Sequence, residues 1–222
     1  MNIRPKINKY RTDLDYRAEV GLYVSFILNL GFVAFKLGSG ILFRSWWLAA
    51  VGIYYFMIGG IRFLLLRDVR KVPELDEERR LAREYRAYRR TGWLLLILDT
   101  AIFGMAVQMV AQNKSTVYPG VFIYGSAAYT FYFFGLAIAN VIRFHNGSSA
   151  LLSAAKNLSF VSALMSMFVL QTAMLTAFDE GGSPFGLIIN SVSGAVVFAF
   201  VIYTAIRMIV HGAKKLKELE TR

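Results

Sequence analysis

Six stretches of apolar residues, each about 20 long, alternate along the chain with segments that hold nearly all of its charges. They run from Val20 to Phe43, Trp46 to Leu66, Trp93 to Gln112, Val121 to Ile142, Leu158 to Phe178 and Phe185 to Val210. A hydrocarbon core about 30 Å thick needs roughly 20 residues of helix at 1.5 Å each. Transmembrane β-strands would be about 10 residues of alternating polarity, and none of the six stretches alternates in that way. The pattern predicts an all-α, polytopic membrane protein with six transmembrane helices. Residues 1–19 form an N-terminal segment, 20–210 the transmembrane domain and 211–222 a tail. An amphipathic connector over 67–92 joins the second and third spans.

Composition agrees with this division. The chain is 56% hydrophobic and 18% charged, against about 25% charged in an ordinary soluble domain. The absence of cysteine excludes a disulfide framework and thiolate metal sites. The opening "MNIRPKINKYRTDLDYR" lacks an apolar signal-peptide core, so the first span is expected to direct insertion itself.

Charge sets the expected orientation. Arg4, Lys6, Lys9, Arg11 and Arg17 precede the first span; Arg67, Arg70, Lys71, Arg79, Arg80, Arg83, Arg86, Arg89 and Arg90 fill the connector; Lys214, Lys215, Lys217 and Arg222 follow the sixth span. The other side offers Arg44, Lys114 and the acidic "DEGGSP". Basic loops stay in the cytoplasm, which predicts both termini inside and a cell membrane as the location. The net charge of +11 then follows from topology, and no nucleic-acid partner is expected. Trp46, Trp47, Trp93 and Tyr118 fall at span ends, where amphipathic rings anchor at the interface.

In the connector, "PELDEERRLAREYRAYRRTG" opens with acids and closes with arginines, matching a helix macrodipole. Asp76 and Arg80 are spaced to pair across one turn, and Leu81, Tyr85 and Tyr88 form a narrow apolar stripe. Continuation of span three, with the stripe packed on a neighbouring helix, is the favoured reading. The other is an amphipathic helix that lies on anionic lipid or docks a protein partner.

Polar residues within spans are the functional candidates, because each is costly there. They are Asn29 and Lys36 in span one, Asp99 and Gln108 in span three, Asn140 in span four, Gln171 in span five, and Asn190 and Arg207 in span six. Lys36 either snorkels to the outer interface or faces the bundle interior. Asn29 lies seven residues away on the same helix face, and Gly31, Gly38 and Gly40 would allow close helix approach, which favours the interior. Asp99 and Arg207 stand at matched depths in antiparallel spans, so an ion pair serving as a brace is expected.

Enzyme signatures are absent: there is no HExxH, no Gly-x-Ser-x-Gly elbow and no Walker loop,. His145 and His211 are isolated and read as solvated. The Asn113-Lys-Ser sequon matters only in a secretory pathway. No enzyme activity, metal or cofactor is expected.

The stretch "LNLGFVAFKLGSGILFRSWWLAA" resembles the first span of cation diffusion facilitator (cation efflux) proteins, through Asn29, Lys36, Gly38 or Gly40, Ser45, Ala49 and Ala50. The ending "SGAVVFAFVIYTAIRMIVHGAKKLKEL" is similar to that family's sixth span. The resemblance implies a cation-efflux-like bundle with span three outside the transport helices, and it suggests a homodimer. It also implies metal-binding acids or histidines four apart on spans two and five. Those positions here fall near Gly52 and Phe56, and near Ser162 and Ser166, so classical divalent-metal transport is not expected. Only about a dozen residues follow span six, too few for the family's C-terminal metal-sensing domain. "EYRAYRRTG" and "VYPGVFIYGSAAYTFYFF" resemble uncharacterised bacterial membrane proteins. Two functions follow as expectations. One is a transporter of another solute, lined by Asn29, Lys36 and polar groups of later spans. The other is a non-transporting scaffold or accessory subunit.

Overall fold

The structure, a computed structural model, describes residues 14–42, 46–72, 75–111, 120–143, 149–178 and 184–221. These form six α-helices: α1 (Leu14–Leu42), α2 (Trp46–Lys71), α3 (Glu77–Ala111), α4 (Gly120–Arg143), α5 (Ala150–Phe178) and α6 (Pro184–Glu220). Each covers one of the six apolar stretches as far as the described residues reach. Four carry segments long and apolar enough to cross a membrane: Val20–Leu42, Ala49–Lys71, Ala150–Leu175 and Pro184–Glu220. In α3 and α4 the described residues do not supply such a window.

Five helices, α1, α2, α3, α5 and α6, overrun their apolar stretches at the end of the bundle where the basic residues collect. α3 begins well before Trp93, and α6 runs on to Glu220. α5 starts at Ala150 rather than at the expected Leu158, because its first turn is capped from two sources. The Ala150 N–H donates to Glu84 Oε2 at 3.0 Å, and the Leu152 N–H donates to Ser149 Oγ at 3.4 Å. A carboxylate at a helix N-terminus satisfies an orphan donor and opposes the macrodipole.

Neighbouring helices pair antiparallel through small residues. In α1–α2, a Cβ added to Gly40 would lie 2.8 Å from the Ala49 backbone nitrogen. In α3–α6, a Cβ at Gly92 would lie 2.9 Å from the Ala205 carbonyl oxygen, and one at Gly212 would lie 2.9 Å from Arg89 Cβ. Only glycine permits such backbone proximity. Gly31 and Gly38, expected in the same role, have open space around them. They sit on the face of α1 turned away from α2.

α5 touches all five other helices, and it contributes Leu158, Val161, Ala163 and Met165 to the core, none of them measurably exposed. α2 is the other central helix, with Val51, Tyr55, Ile58 and Leu65 also at 0%. The outside is apolar: Ile27, Ile41, Phe56, Phe63, Phe131, Phe185 and Val196 are all exposed. Inside, Asn29, Lys36, Arg62, Asp99, Ser126, Thr130, Ser162 and Ser166 are buried. An apolar surface around a polar interior is stable in lipid, and in water it would be an aggregation hazard.

At the basic end, the connector continues α3, as the sequence favoured. Tyr88 of its stripe is buried, Leu81 and Tyr85 are half-buried, and both tyrosine rings lie 6.2 Å from the His211 ring of α6. His211 is exposed but flanked by these rings rather than simply solvated. Burial pushes the Tyr88 phenol up, with Arg207 and the hydrogen bond from Asn157 acting the other way. Arg80 does not pair with Asp76: its Nε meets Glu84 at 3.2 Å, while Asp76 supplies a backbone carbonyl to the Arg80 N–H at 2.8 Å. Both residues are four from Arg80, and Glu84 wins because it faces the bundle and is already fixed at the α5 terminus.

Candidate functional site

The candidate site is a seam of buried polar side chains where α1, α2, α4 and α5 meet. Asn29 and Lys36 come from one face of α1, Tyr55, Gly59 and Arg62 from one face of α2, Ser126 and Tyr129 from α4, and Ser162 and Ser166 from α5. Helical periodicity explains the alignment, since positions three, four and seven apart share a face.

Lys36 is turned inward and only 1% exposed. Its Nζ donates to Ser126 Oγ at 3.0 Å and lies 5.1 Å from the centroid of Phe32. The Phe32 ring is stacked on Tyr129 at 3.6 Å. The ammonium is thus held by a hydroxyl and by aromatic faces, and the interior reading of Lys36 is the one the structure shows. Asn29, fully buried, donates its Nδ2 to the Tyr55 carbonyl at 2.8 Å. It fits because Gly59 has no side chain: a Cβ there would lie 2.9 Å from Asn29 Nδ2.

The positions in α2 and α5 at which the resemblance would place metal ligands hold no carboxylate or imidazole. Gly52 packs against Leu37, and Phe56 is 58% exposed on the outer surface. Between them Tyr55 turns inward. Its hydroxyl lies 2.7 Å from Ser166 Oγ, which in turn donates to the Ser162 carbonyl at 3.0 Å. Neutral phenol and hydroxyl groups are poor ligands for a divalent cation that favours carboxylate or imidazole. Among the described residues no three His, Asp or Glu gather as a metal site would require.

Arg62, near the basic end of the second span, is not among the intramembrane candidates that the sequence offers, yet its side chain is 0% exposed. None of its three nitrogens has a hydrogen-bond partner among the described residues. The phenols of Tyr129 and Tyr55 are among the groups near enough to act on it electrostatically. The available signal was the spacing to Tyr55 and Gly59, which puts Arg62 on the inward face.

Asp99 is also buried, at 1% exposure, and both carboxylate oxygens lack a hydrogen-bond partner among the described residues. The expected pair with Arg207 is not formed. Contacts of Gly92 with Ala205 and Met208, and of Phe103 with Phe198, set the α3–α6 register. Arg207 falls about five residues, or ~8 Å at 1.5 Å each, closer to the basic end than Asp99. It is exposed there, within electrostatic range of Tyr88. Asp99 instead lies in electrostatic range of Tyr54.

Gln171 and Asn190 do not join the seam. Gln171 donates to Ser193, and Thr172 donates to Asn190 Oδ1 at 2.8 Å. These bonds staple α5 to α6, a structural use of polar groups between membrane helices. The side chains of Asn140 and Gln108 lie outside the described residues, as do Tyr118, Asn113 and His145 and the side chains of Trp46 and Trp47. Trp93 is described and is 51% exposed, near the start of its apolar stretch.

A separate groove of about 450 Å³ opens between α4, α5 and α6, lined chiefly by Phe131, Met167, Met174 and Val197. Its apolar walls and exposed rim suit an acyl chain rather than a polar reactant.

The chain matches no family model and no curated protein.

Proposed function

We propose that this chain crosses a cell membrane six times, with both termini in the cytoplasm, and carries a polar solute other than a divalent metal through a cation-efflux-like bundle. The observation that supports this reading best is the buried seam from Arg62 through Asn29 and Tyr55 to Lys36, inside an otherwise apolar-surfaced bundle. Polar groups are kept at such depth for solute paths or for helix pairing. The bonds from Asn29 to Tyr55, between Tyr55 and Ser166 and from Lys36 to Ser126 also join helices, whereas Arg62 meets no acceptor among the described residues and makes no such link. The resemblance in spans one and six is a second support, and the close association of α3 with α6 accords with a third span lying outside the transport helices.

Reconstitution into proteoliposomes tests the reading. Zn²⁺ and Mn²⁺ flux is expected to stay at the level of empty vesicles, whereas an anionic or zwitterionic solute should exchange across the bilayer. Robust metal flux overturns the assignment. Absence of flux for every solute moves the reading to a membrane scaffold, for which the exposed arginines of the connector, Arg79, Arg86 and Arg89, offer an acidic partner or anionic lipid a docking face.

A further inference from the structure

We infer that Arg62 anchors a binding site for a small oxyanion, a phosphate or carboxylate group held in the interior between α1, α2 and α4. The inference rests on the solute-carrying reading above and names the chemistry of its site.

A guanidinium offers five N–H donors in a planar fork and keeps its charge under all ordinary conditions. At Arg62 the whole side chain is buried, and its nitrogens meet no acceptor among the described residues. Several other cations have partners: Arg80 meets Glu84, Arg83 and Arg90 meet Asp68, and the buried Lys36 donates to Ser126. The interior acid Asp99 does not neutralise Arg62. It faces Tyr54, eight residues back along α2 and about 12 Å away along the axis. A buried, unpaired charge is the least tolerable group in a protein interior, so a counter-ion from outside the chain is called for.

The surroundings narrow its identity. A fork of donors matches a ligand with two oxygens on one centre, which phosphate and carboxylate supply and chloride does not. One helical turn away, Asn29 is seated against Gly59, and its Oδ1 has no donor among the described residues. A partly protonated oxyanion, such as dihydrogen phosphate or a hydroxy acid, could fill both needs by donating a hydroxyl to Asn29 while accepting from Arg62. The phenols of Tyr55 and Tyr129 lie within electrostatic range of Arg62, but neither accepts a hydrogen bond from it.

The test uses the full chain in phosphatidylcholine nanodiscs. Equilibrium binding of radiolabelled inorganic phosphate and of lactate is measured at constant ionic strength with chloride as competitor. At least one of them is expected to bind saturably, to resist chloride, and to lose at least about tenfold in affinity in R62Q. R62K, which keeps a point charge but not the fork, should fall between. Nanodiscs doped with phosphatidic acid separate the sources: if the lipid alone gives Arg62-dependent thermal stabilisation, a headgroup supplies the oxyanion. Equal binding by wild type and R62Q overturns the site. So does the absence of saturable binding and of lipid stabilisation in the wild type, which decides the matter even if R62Q fails to fold. Binding without flux leaves this site standing and defeats the carrier reading. Oxyanion flux unchanged in R62K defeats the site and leaves the carrier.

Discussion

Asn29 and Gly59 illustrate how closely single side chains in the interior depend on each other. The amide can reach the Tyr55 carbonyl only because the facing residue is glycine. Gly59→Ala should therefore lower stability by about 1–3 kcal/mol, the usual cost of overpacking a filled interior. The same substitution made in an Asn29→Ala background should cost markedly less, because the atom it would strike is gone. Thermal unfolding in detergent across this double-mutant cycle measures the coupling. Additive effects would show that Asn29 and Gly59 do not compete for one space. Hydroxyls are handled more simply. Thr91, Thr100 and Ser193 each donate to the carbonyl four residues earlier, so they add little cost within an apolar helix.

At the level of elements, the basic end is held by two carboxylates. Asp68 of α2, nearly buried, receives Arg83 at 2.9 Å and Arg90 at 2.6 Å from α3. Glu84 ties α3 to the first turn of α5. Asp68→Asn should destabilise the protein by about 1–3 kcal/mol, because one buried acceptor serves two arginines. The arginines are themselves partly exposed, at 32% and 42%. Salt screens such groups, so the gap between wild type and variant should narrow at high ionic strength. Chemical denaturation at low and high salt checks both points; a gap that widens with salt would contradict this account. For Glu84→Gln, hydrogen exchange should rise first at Ala150 and Leu152, where the cap weakens.

For the whole molecule, the decisive matter is which side each end faces. The chain has no cysteine, so single-cysteine variants report topology without a background. Ser115→Cys, between the third and fourth spans, should react with an impermeant maleimide in intact cells. Arg79→Cys, in the connector, and Lys217→Cys, in the tail, should react only after permeabilisation. Reaction of Arg79→Cys in intact cells would invert the proposed orientation. The distribution of charge argues for the stated result, since basic segments are retained on the cytoplasmic side.

The one-dimensional pattern determined the helices, their approximate ends, the likeness of the third helix to a continuous rod through the connector, and the apolar exterior. These depend on hydrophobic length and local charge, both of which are properties of neighbouring residues. Tertiary structure decided what each polar residue does. Lys36 could have reached the interface, but the helices around it close over its ammonium. Asp99 and Arg207 match in depth on paper, yet the α3–α6 register offsets them. Arg62 lies near the end of its apolar stretch, and its burial appears only once the neighbouring helices are packed against α2. Facing and register are set by contacts between residues far apart in sequence, so the chain's own periodicity could propose them without fixing them.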